Sequence, residues 1–449
     1  MPKNVRLLKA ALLGLILISG CQLAATLPAP SQPPPTAFPV LTKMGIPPTA
    51  VLTRLTPVAT QLPAQTQVEP TPVSESWVRT YETLPPSAAL SALQTTDGSY
   101  LLVGATNYSY QNRDNEDIHL MKVDPRGELI WEKTYGGEKF DRGMTVIPAG
   151  DDATLVLAET SSYGAGKHDI YLLKIDSVGE VLWTKTFGGP GDEQAKDIQV
   201  TNDGGYIITG ITDSFGEGSP DVYLIKTDGQ ANEQWSRAYG GELIEECYDV
   251  TATPDGGFLI LAASMQPGGD YMGQQSNLYL IRTTASGDIL WSQVYDEPGV
   301  QGGYRLLPVS AGDTLIAGLV SPTATTADID PLFRKLDSLG NLLWEQPLGD
   351  PDCFDYASDI QATSDGGYVL TGMSVCNGRN QVLLIKTGPE GELLWQKNLV
   401  EGDSSRIGLK VFERPDGSFL IIGQINTRPG ASFETLLIKT DKFGDVRYP

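Results

Sequence analysis

The sequence predicts an all-β protein built from seven copies of one four-stranded antiparallel unit, and two observations support this. Tryptophans recur at intervals of 51 to 56 residues, and this series uses every tryptophan of the chain: Trp77, Trp131, Trp183, Trp235, Trp291, Trp344 and Trp395. Between them, short apolar segments alternate with turn sequences. Four short strands per unit and a period near 50 residues are typical of β-propeller blades. We therefore expect a seven-bladed β-propeller over residues 76–449.

The unit that follows Trp183 shows the four strands, A to D. Residues 194–201 alternate in polarity and predict strand A, and Asp203-Gly204 then makes a tight turn. Strand B covers 206–211, strand C covers 222–225, and strand D contains the next tryptophan. Asp-Gly pairs recur at the A–B turn of five units, and such pairs favour hairpins because the turn needs positive φ.

The polarity of the strands predicts their order within a blade. Strands B and C are apolar on both faces, which is expected of middle strands covered by neighbouring blades. Strand D carries a long polar side chain two residues after each tryptophan, such as Lys185 after Trp183. Such side chains protect an exposed edge, so D is predicted to be the outer strand and A to line the central channel. The tryptophans are expected to pack in the blades rather than bind ligand.

The N-terminal region predicts export and a lipid anchor. Lys3, Arg6 and Lys9 accompany an apolar stretch that is too short to span a bilayer. The following Ile18-Ser19-Gly20-Cys21 resembles a bacterial lipobox, which implies cleavage before Cys21 and lipidation of its thiol. An ordinary signal peptide with an incidental cysteine is the alternative. We expect residues 1–20 to be the signal peptide, and the protein to lie outside the cytoplasm, lipid-anchored to the cell membrane or outer membrane.

Residues 21–75 are expected to form a lipidated, disordered Pro/Thr-rich stalk. Residues 22–75 contain twelve prolines and almost no charge, so they cannot bury a core. The net charge of the whole chain is −23, which argues against a nucleic-acid partner because phosphate backbones are also negative. The expected partners are the membrane, through Cys21, and a glycan or protein ligand bound by a monomer.

One disulfide is predicted from the register of a hairpin. Pairing about the Asp365-Gly366 turn places Cys353 and Cys376 nearly opposite each other, in a compartment that permits oxidation. Cys247 is left over and is expected to be a buried thiol.

No arrangement of residues in the sequence nominates a catalytic centre. The two histidines, His119 and His168, lie in no zinc-binding pattern, and no Walker loop or nucleophile elbow is present. The sequence therefore predicts no catalytic residue, no metal, no cofactor and no enzymatic activity. A carboxylate-based glycan-active enzyme remains an alternative, because paired acids are hard to recognise in an acidic chain.

Two recurring polar positions have a structural and a functional interpretation each. A base stands nine residues before each tryptophan position, as Lys226 does, and is expected to pair with the Asp-Gly acid rather than cradle an anion. A carboxylate or amide lies fourteen residues before the same position. It fits a strand-entry turn, with calcium binding as the alternative: Asp117, Asp169, Asp221, Asn277, Asp330, Gln381 and Glu434.

The repeat resembles that of bacterial surface β-propeller repeat lipoproteins over roughly residues 76–449. The resemblance lies in Trp183-Thr-Lys-Thr-Phe-Gly-Gly189, Asp203-Gly-Gly-Tyr206, Ser214-Phe-Gly-Glu-Gly218 and Asp221-Val-Tyr-Leu-Ile-Lys226. It implies a generic extracellular scaffold. The segment Asp176-Ser-Val-Gly-Glu-Val-Leu-Trp183 is also distantly similar to quinoprotein-like propellers. Its turn is one residue shorter and there are seven units instead of the common eight, which puts a quinone site in doubt.

The expected function is a binding or adhesion module that recognises a glycan or protein through its long-loop face. Strands alternate in direction, so the long B–C and D–A connections share one face, and variable loops on a rigid scaffold form binding sites. The candidate ligand-face side chains are those whose rings or thioether could anchor a ligand: Tyr108, Tyr110, Tyr163, Phe215, Tyr271 and Met272. A structural scaffold of an envelope assembly machine is a further alternative.

Overall fold

Strands form the regular elements of the described chain. The computed structural model describes residues 76–83, 85–108, 115–217, 220–265, 276–296, 299–309, 312–321, 329–400, 404–426 and 432–446. In these ranges 28 strands form seven antiparallel sheets of four strands each. No helix within the described ranges is long and apolar enough to cross a membrane. The predicted seven-bladed β-propeller is confirmed.

Six of the seven blades take four consecutive strands, in the order A to D. The chain first forms β1 (Trp77–Tyr81). The strands of blades 1 to 3 are β2 (Ser87–Gln94), β3 (Tyr100–Thr106), β4 (Ile118–Val123) and β5 (Leu129–Tyr135); β6 (Asp141–Pro148), β7 (Thr154–Thr160), β8 (Asp169–Ile175) and β9 (Val181–Phe187); and β10 (Glu193–Val200), β11 (Tyr206–Thr212), β12 (Asp221–Thr227) and β13 (Glu233–Tyr239).

Blades 4 to 6 follow the same plan, and blade 7 takes only its first three strands consecutively. The strands of blades 4 to 6 are β14 (Ile244–Ala252), β15 (Phe258–Met265), β16 (Ser276–Thr283) and β17 (Ile289–Tyr295); β18 (Val300–Pro308), β19 (Thr314–Ser321), β20 (Asp330–Leu336) and β21 (Leu342–Glu345); and β22 (Phe354–Ala362), β23 (Tyr368–Cys376), β24 (Arg379–Thr387) and β25 (Leu393–Leu399). Blade 7 begins with β26 (Ser405–Glu413), β27 (Phe419–Asn426) and β28 (Glu434–Lys439).

The ring closes by joining the first and last strands in one sheet. The order in blade 7 is β26, β27, β28 and then β1, with Trp77 opposite Lys439 and Tyr81 opposite Thr435. The sequence offers two candidates for this strand, residues 445–449 and Trp77–Tyr81, and it favours the second because Trp77 begins a complete D-strand pattern that has no C strand before it. After β28 the chain turns toward the outer strand of blade 6, where Lys397 Nζ lies 2.7 Å from Asp445 Oδ1.

The hydrophobic core lies between neighbouring blades. Leu155 and Leu172 of blade 2, for example, pack in one cluster with Ile208 and Ile225 of blade 3. The middle strands are buried on both faces, whereas the outer strands alternate between exposed and half-buried side chains. This agrees with the predicted order, with strand D outermost.

Short-range contacts fix the hairpins that the sequence predicts. The Asp-Gly acids pair with the bases that end strand C: Lys226 Nζ lies 2.9 Å from Asp203, and Lys386 Nζ lies 2.9 Å from Asp365. In blade 7 the equivalent distance, between Lys439 Nζ and Asp416 Oδ2, is 3.8 Å. The bases are therefore hairpin partners, as predicted.

Two of the cysteines in the described ranges form the disulfide that the hairpin register predicts, and the third stays a thiol. Cys353 and Cys376 form a disulfide at the loop end of β22 and β23, with their Cα atoms 4.7 Å apart. Cys247 is a fully buried thiol whose Sγ lies 2.9 Å from Thr209 Oγ1. Burial raises the pKa of this thiol to about 12, so it is not a reactive thiolate.

Candidate functional site

In blades 2 and 3 the B–C loop meets the preceding D–A connection on one face of the propeller, as predicted. In blade 3, Ser214 of the B–C loop accepts a 2.7 Å hydrogen bond from the backbone N–H of Gly191, which lies in the preceding D–A connection. Ser162 makes the equivalent contact in blade 2, where it accepts a bond from the N–H of Lys139. These bonds hold the B–C loops of blades 2 and 3 to the D–A connections, and we call the face on which they lie the loop face.

Two aromatic side chains of the loop face are half-exposed. Tyr163 of blade 2 is 42% exposed and Phe215 of blade 3 is 44% exposed. Each ring rests on the tyrosine near the start of strand C in its own blade, Tyr171 or Tyr223, with centroids 5.2 and 5.4 Å apart. The hydroxyl of Tyr163 also donates to the carbonyl of Gly136. Adjacent blades thus present rings at equivalent positions.

Tyr108 is not part of this exposed surface, which corrects its assignment as a ligand-face residue. Its side chain is only 6% exposed and packs edge-on against Phe433 of blade 7. On another side, the guanidinium of Arg142 lies 4.9 Å from the ring centroid and forms a buried ion pair with Glu116. The contacts come from residues distant in sequence, which is why the loop sequence alone suggests exposure.

The other predicted site residues fall outside the described ranges. Tyr110, Tyr271 and Met272 belong to the B–C loops of blades 1 and 4, and Cys21 precedes the described chain. The two histidines are engaged locally. His119 is buried against Glu132, and burial lowers its pKa. Nδ1 of His168 lies 2.8 Å from Asp192.

Pairs of carboxylates lie between adjacent blades at the base of the loop face. In each pair, the residue that begins strand C of one blade approaches one near the start of strand A of the next blade. Because a glycine of the D–A connection lies over each pair, a β-carbon there would fall within 2.8 Å of both carboxylates. Three such pairs are Asp117 with Asp141, Asp169 with Glu193, and Asp221 with Glu245.

Most of these carboxylates are satisfied by hydrogen bonds. Glu193 accepts bonds from the backbone N–H of Gly189 and the hydroxyl of Thr212, both at 2.8 Å. Asp169 accepts a 2.9 Å bond from the N–H of Gly166. These acids anchor the glycine-rich connections, so the carboxylate at the start of strand C is largely structural, as the sequence suggests.

The third pair differs because Asp221 lacks such partners. Asp221 is 1% exposed, and neither of its carboxylate oxygens has a hydrogen-bond partner. Burial raises its pKa to about 6. Burial, together with the charge of Asp221, raises the pKa of Glu245 to about 7. Oxygen ligands for a cation therefore converge between blades 3 and 4.

A second polar cluster fills the central channel, and the sequence analysis missed it. Arg305 lies 3.5 to 3.6 Å from Asp197, Asp249 and Asp359, and Lys410 lies 3.2 Å from Asp359. These residues come from five different blades, each at the β-bulge of an inner strand. Burial raises the pKa of Asp249 and lowers that of Lys410.

The channel network joins inner strands through the backbone as well as through charge. Asp249 accepts a 2.7 Å hydrogen bond from the N–H of Leu306, and Asp359 accepts a 3.0 Å bond from the N–H of Val411. Each bond crosses from one blade to the next. The signal in the sequence is a charged residue at the same mid-strand position of five A strands, where blades 1 and 2 have Ser91 and Thr145.

One group among the described residues has three potential metal-ligating side chains close together, namely Asp350, Cys353 and Cys376. Both cysteines are consumed by the disulfide, so they offer no thiolate. This group is not a metal centre of the zinc type.

The strand order and the closure define the chain as a seven-bladed β-propeller with a loop face suited to ligand contact. No protein-family model matches the sequence, and no curated protein matches it. Solved structures that resemble it include the WD40 domain of Neurospora crassa Pan2, with 10% identity and a TM-score of 0.48, covering 83% of this chain and 98% of that one.

Two further structural neighbours are enzymes. A puromycin hydrolase has 13% identity and a TM-score of 0.44, with 80% of this chain covered. The present chain spans only 52% of the hydrolase. The α-L-arabinanase of Penicillium chrysogenum, in complex with arabinobiose, also has 13% identity and a TM-score of 0.44, covering 69% of this chain and 96% of that one. At these values the likeness concerns the fold alone.

These neighbours correct the prediction that the chain is not an enzyme. Propellers of this general kind include hydrolases and glycosidases as well as WD40 binding domains. The absence of a recognisable catalytic motif therefore does not exclude activity, and binding and enzymatic roles are both open to this fold. Function must be argued from the loop face itself.

Proposed function

We propose that the chain is an extracytoplasmic binding module that recognises a glycan or a protein through the loop face. The observation that carries the proposal is the pair Tyr163 and Phe215, two half-exposed rings at equivalent positions of adjacent blades. Their support on Tyr171 and Tyr223 holds them in place before a ligand arrives, which lowers the entropic penalty of binding.

The chemistry of this surface favours a glycan. Aromatic rings stack on the apolar faces of sugar rings, while neighbouring polar groups bind hydroxyls. Exposed carboxylates lie two residues before and two residues after Phe215, at Asp213 and Glu217. A protein partner would use the same rings as anchors.

A glycan array probed with the full chain tests the proposal. We expect binding to a restricted set of glycans, and loss of that binding when Tyr163→Ala and Phe215→Ala are combined. Release of reducing sugar from bound glycans is measured in the same samples, because enzymes also use this fold. If no glycan binds and a photo-crosslinker at position 163 captures no protein from the cell surface, the proposal fails.

The membrane anchor is a separate proposal. A lipid on Cys21 would hold the chain at a membrane, and residues 21–75 would act as the stalk between the lipid and the propeller. Metabolic labelling with an alkyne fatty acid is expected to mark the wild-type chain and not Cys21→Ser. Labelling that persists in Cys21→Ser would contradict the anchor at this residue.

A further inference from the structure

The acid pair between blades 3 and 4 differs from the pair between blades 2 and 3 in the hydrogen bonding of its strand-C aspartate. Asp221 begins β12 directly after the B–C loop that carries Phe215, and Glu245 lies near the start of β14. Gly240 lies between them: a β-carbon there would stand 1.7 Å from Asp221 Oδ1 and 2.7 Å from Glu245 Oε2. The two carboxylates therefore converge on one small volume beneath the loop face.

Asp221 is buried without any hydrogen-bond partner for either oxygen. The backbone of Glu217 lowers the pKa of Asp221, yet neither carboxylate oxygen is hydrogen-bonded. At the equivalent position of blade 2, Asp169 is held by the N–H of Gly166 at 2.9 Å. A buried, unpartnered carboxylate is strongly unfavourable unless something compensates its charge. Blade 2 is therefore a matched comparison, because there the equivalent carboxylate has a hydrogen-bond donor within the protein.

No base among the described residues compensates the charge. Neither Asp221 nor Glu245 forms an ion pair with any described lysine, arginine or histidine. The charged groups that act on Asp221 are Asp213 and Glu217 of its own loop, and the one that acts on Glu245 is Asp221. All of these are acids. The site thus concentrates negative charge and oxygen atoms.

We propose that Asp221 and Glu245 bind a divalent cation, Ca²⁺, between blades 3 and 4. A hard cation with flexible coordination suits two converging carboxylates whose remaining ligands are water. The thiol of Cys247 is bonded to the hydroxyl of Thr209, so it is not among the ligands of the site. The cation would tie the Phe215 loop of blade 3 to blade 4. The proposal does not depend on what the aromatic rings bind.

Calorimetric titration of the full chain with CaCl₂, after removal of metals with EDTA, tests the site. We expect saturable binding and a rise in Tm with Ca²⁺. Asp221→Asn keeps the shape of the side chain and is expected to weaken Ca²⁺ affinity by about tenfold or more, because loss of an outer partner alone weakens metal sites by roughly 10–100-fold. Asp169→Asn is the matched control, and it should leave Ca²⁺ affinity unchanged.

Three outcomes would overturn the proposal. These are the absence of saturable Ca²⁺ binding, unchanged affinity in Asp221→Asn, and an equal loss of affinity in Asp169→Asn. Glu245→Gln provides a second variant should Asp221→Asn fail to fold, as judged by circular dichroism. Loss of glycan binding in the aromatic double variant with Ca²⁺ binding intact would leave the cation site standing. Failure of either proposal is therefore distinguishable from failure of the other.

Discussion

The ring of Trp131 in blade 1 lies directly under Gly179, the glycine of the C–D turn in blade 2. A β-carbon at Gly179 would stand 3.1 Å from Cη2 of Trp131, and the glycine has a φ of +82°. The hydroxyl of Tyr135 donates a 2.7 Å hydrogen bond to the carbonyl of the same glycine. The repeating tryptophan therefore fastens each blade to the turn of the next.

This relationship predicts the effect of adding one methyl group. Gly179→Ala is expected to lower the free energy of unfolding by about 2 kcal/mol, because a left-handed backbone and a crowded ring both oppose the β-carbon. Ala231 occupies the equivalent turn position of blade 3 with a φ of 58°. Ala231→Gly is the reciprocal control, expected to change stability by about 0–1 kcal/mol in the favourable direction. Urea unfolding measures the free energy of unfolding of both variants. The same change in both, in sign and size, would contradict the account.

The channel network predicts a large penalty for removing its shared cation. Arg305→Met would leave three buried carboxylates facing one another, so we expect a loss of about 3–5 kcal/mol at neutral pH. Lys133→Met is the control. It removes one cation from an exposed pair with Glu180 and should change stability by about 1 kcal/mol or less. Similar losses in the two variants would show that the channel charges do not hold the blades together.

The raised pKa values of Asp221 and Glu245 predict a pH dependence with a definite sign. Their folded pKa values, about 6 and 7, exceed the values near 4 of an unfolded chain. The folded state therefore binds these protons at a higher pH than the unfolded chain does. In metal-free buffer the pair therefore destabilises the fold as pH rises from about 5 to 8, and protonation relieves this at lower pH. Asp221→Asn should reduce the fall in Tm between these pH values.

The carboxylates of the Asp-Gly turns respond in a different pH range. The hydroxyl of Thr201 and the ammonium of Lys226 lower the pKa of Asp203 to about 2, so its contribution is present above pH 4 and is lost only as pH falls toward 2. Asp151→Asn removes an exposed turn charge and serves as the control. An unchanged pH profile in Asp221→Asn would contradict the assignment.

Local sequence signals predict the blades, their closure and the disulfide. The Trp77 period and turns such as Asp203-Gly204 act within one repeat, where residues close in sequence pair with each other. Ring closure followed from one observation, that Trp77 begins a complete outer-strand pattern without its own blade. Cys353 and Cys376 pair across a single hairpin, so counting residues from its turn is sufficient.

The contacts that the sequence did not predict join residues from different blades. Arg305 meets Asp197 and Asp359, each more than fifty residues away, at bulges that local pairing patterns do not reveal. Tyr108 is buried by Phe433, which reaches it only because the ring closes. Packing between blades determines the surroundings of these residues, whereas a sequence repeat describes the contacts within one blade.

The affinity of the full chain for its best array glycan, with and without the loop-face rings, tests the central claim most directly. We expect Tyr163→Ala combined with Phe215→Ala to weaken binding by about tenfold or more, since a buried aromatic anchor commonly contributes 2 kcal/mol or more at an interface. Phe443→Ala, which removes a 58% exposed ring from the turn after β28 on the opposite face, should leave affinity unchanged. Equal affinity in the double variant and the wild type, or a loss caused by Phe443→Ala instead, would contradict recognition through the loop face.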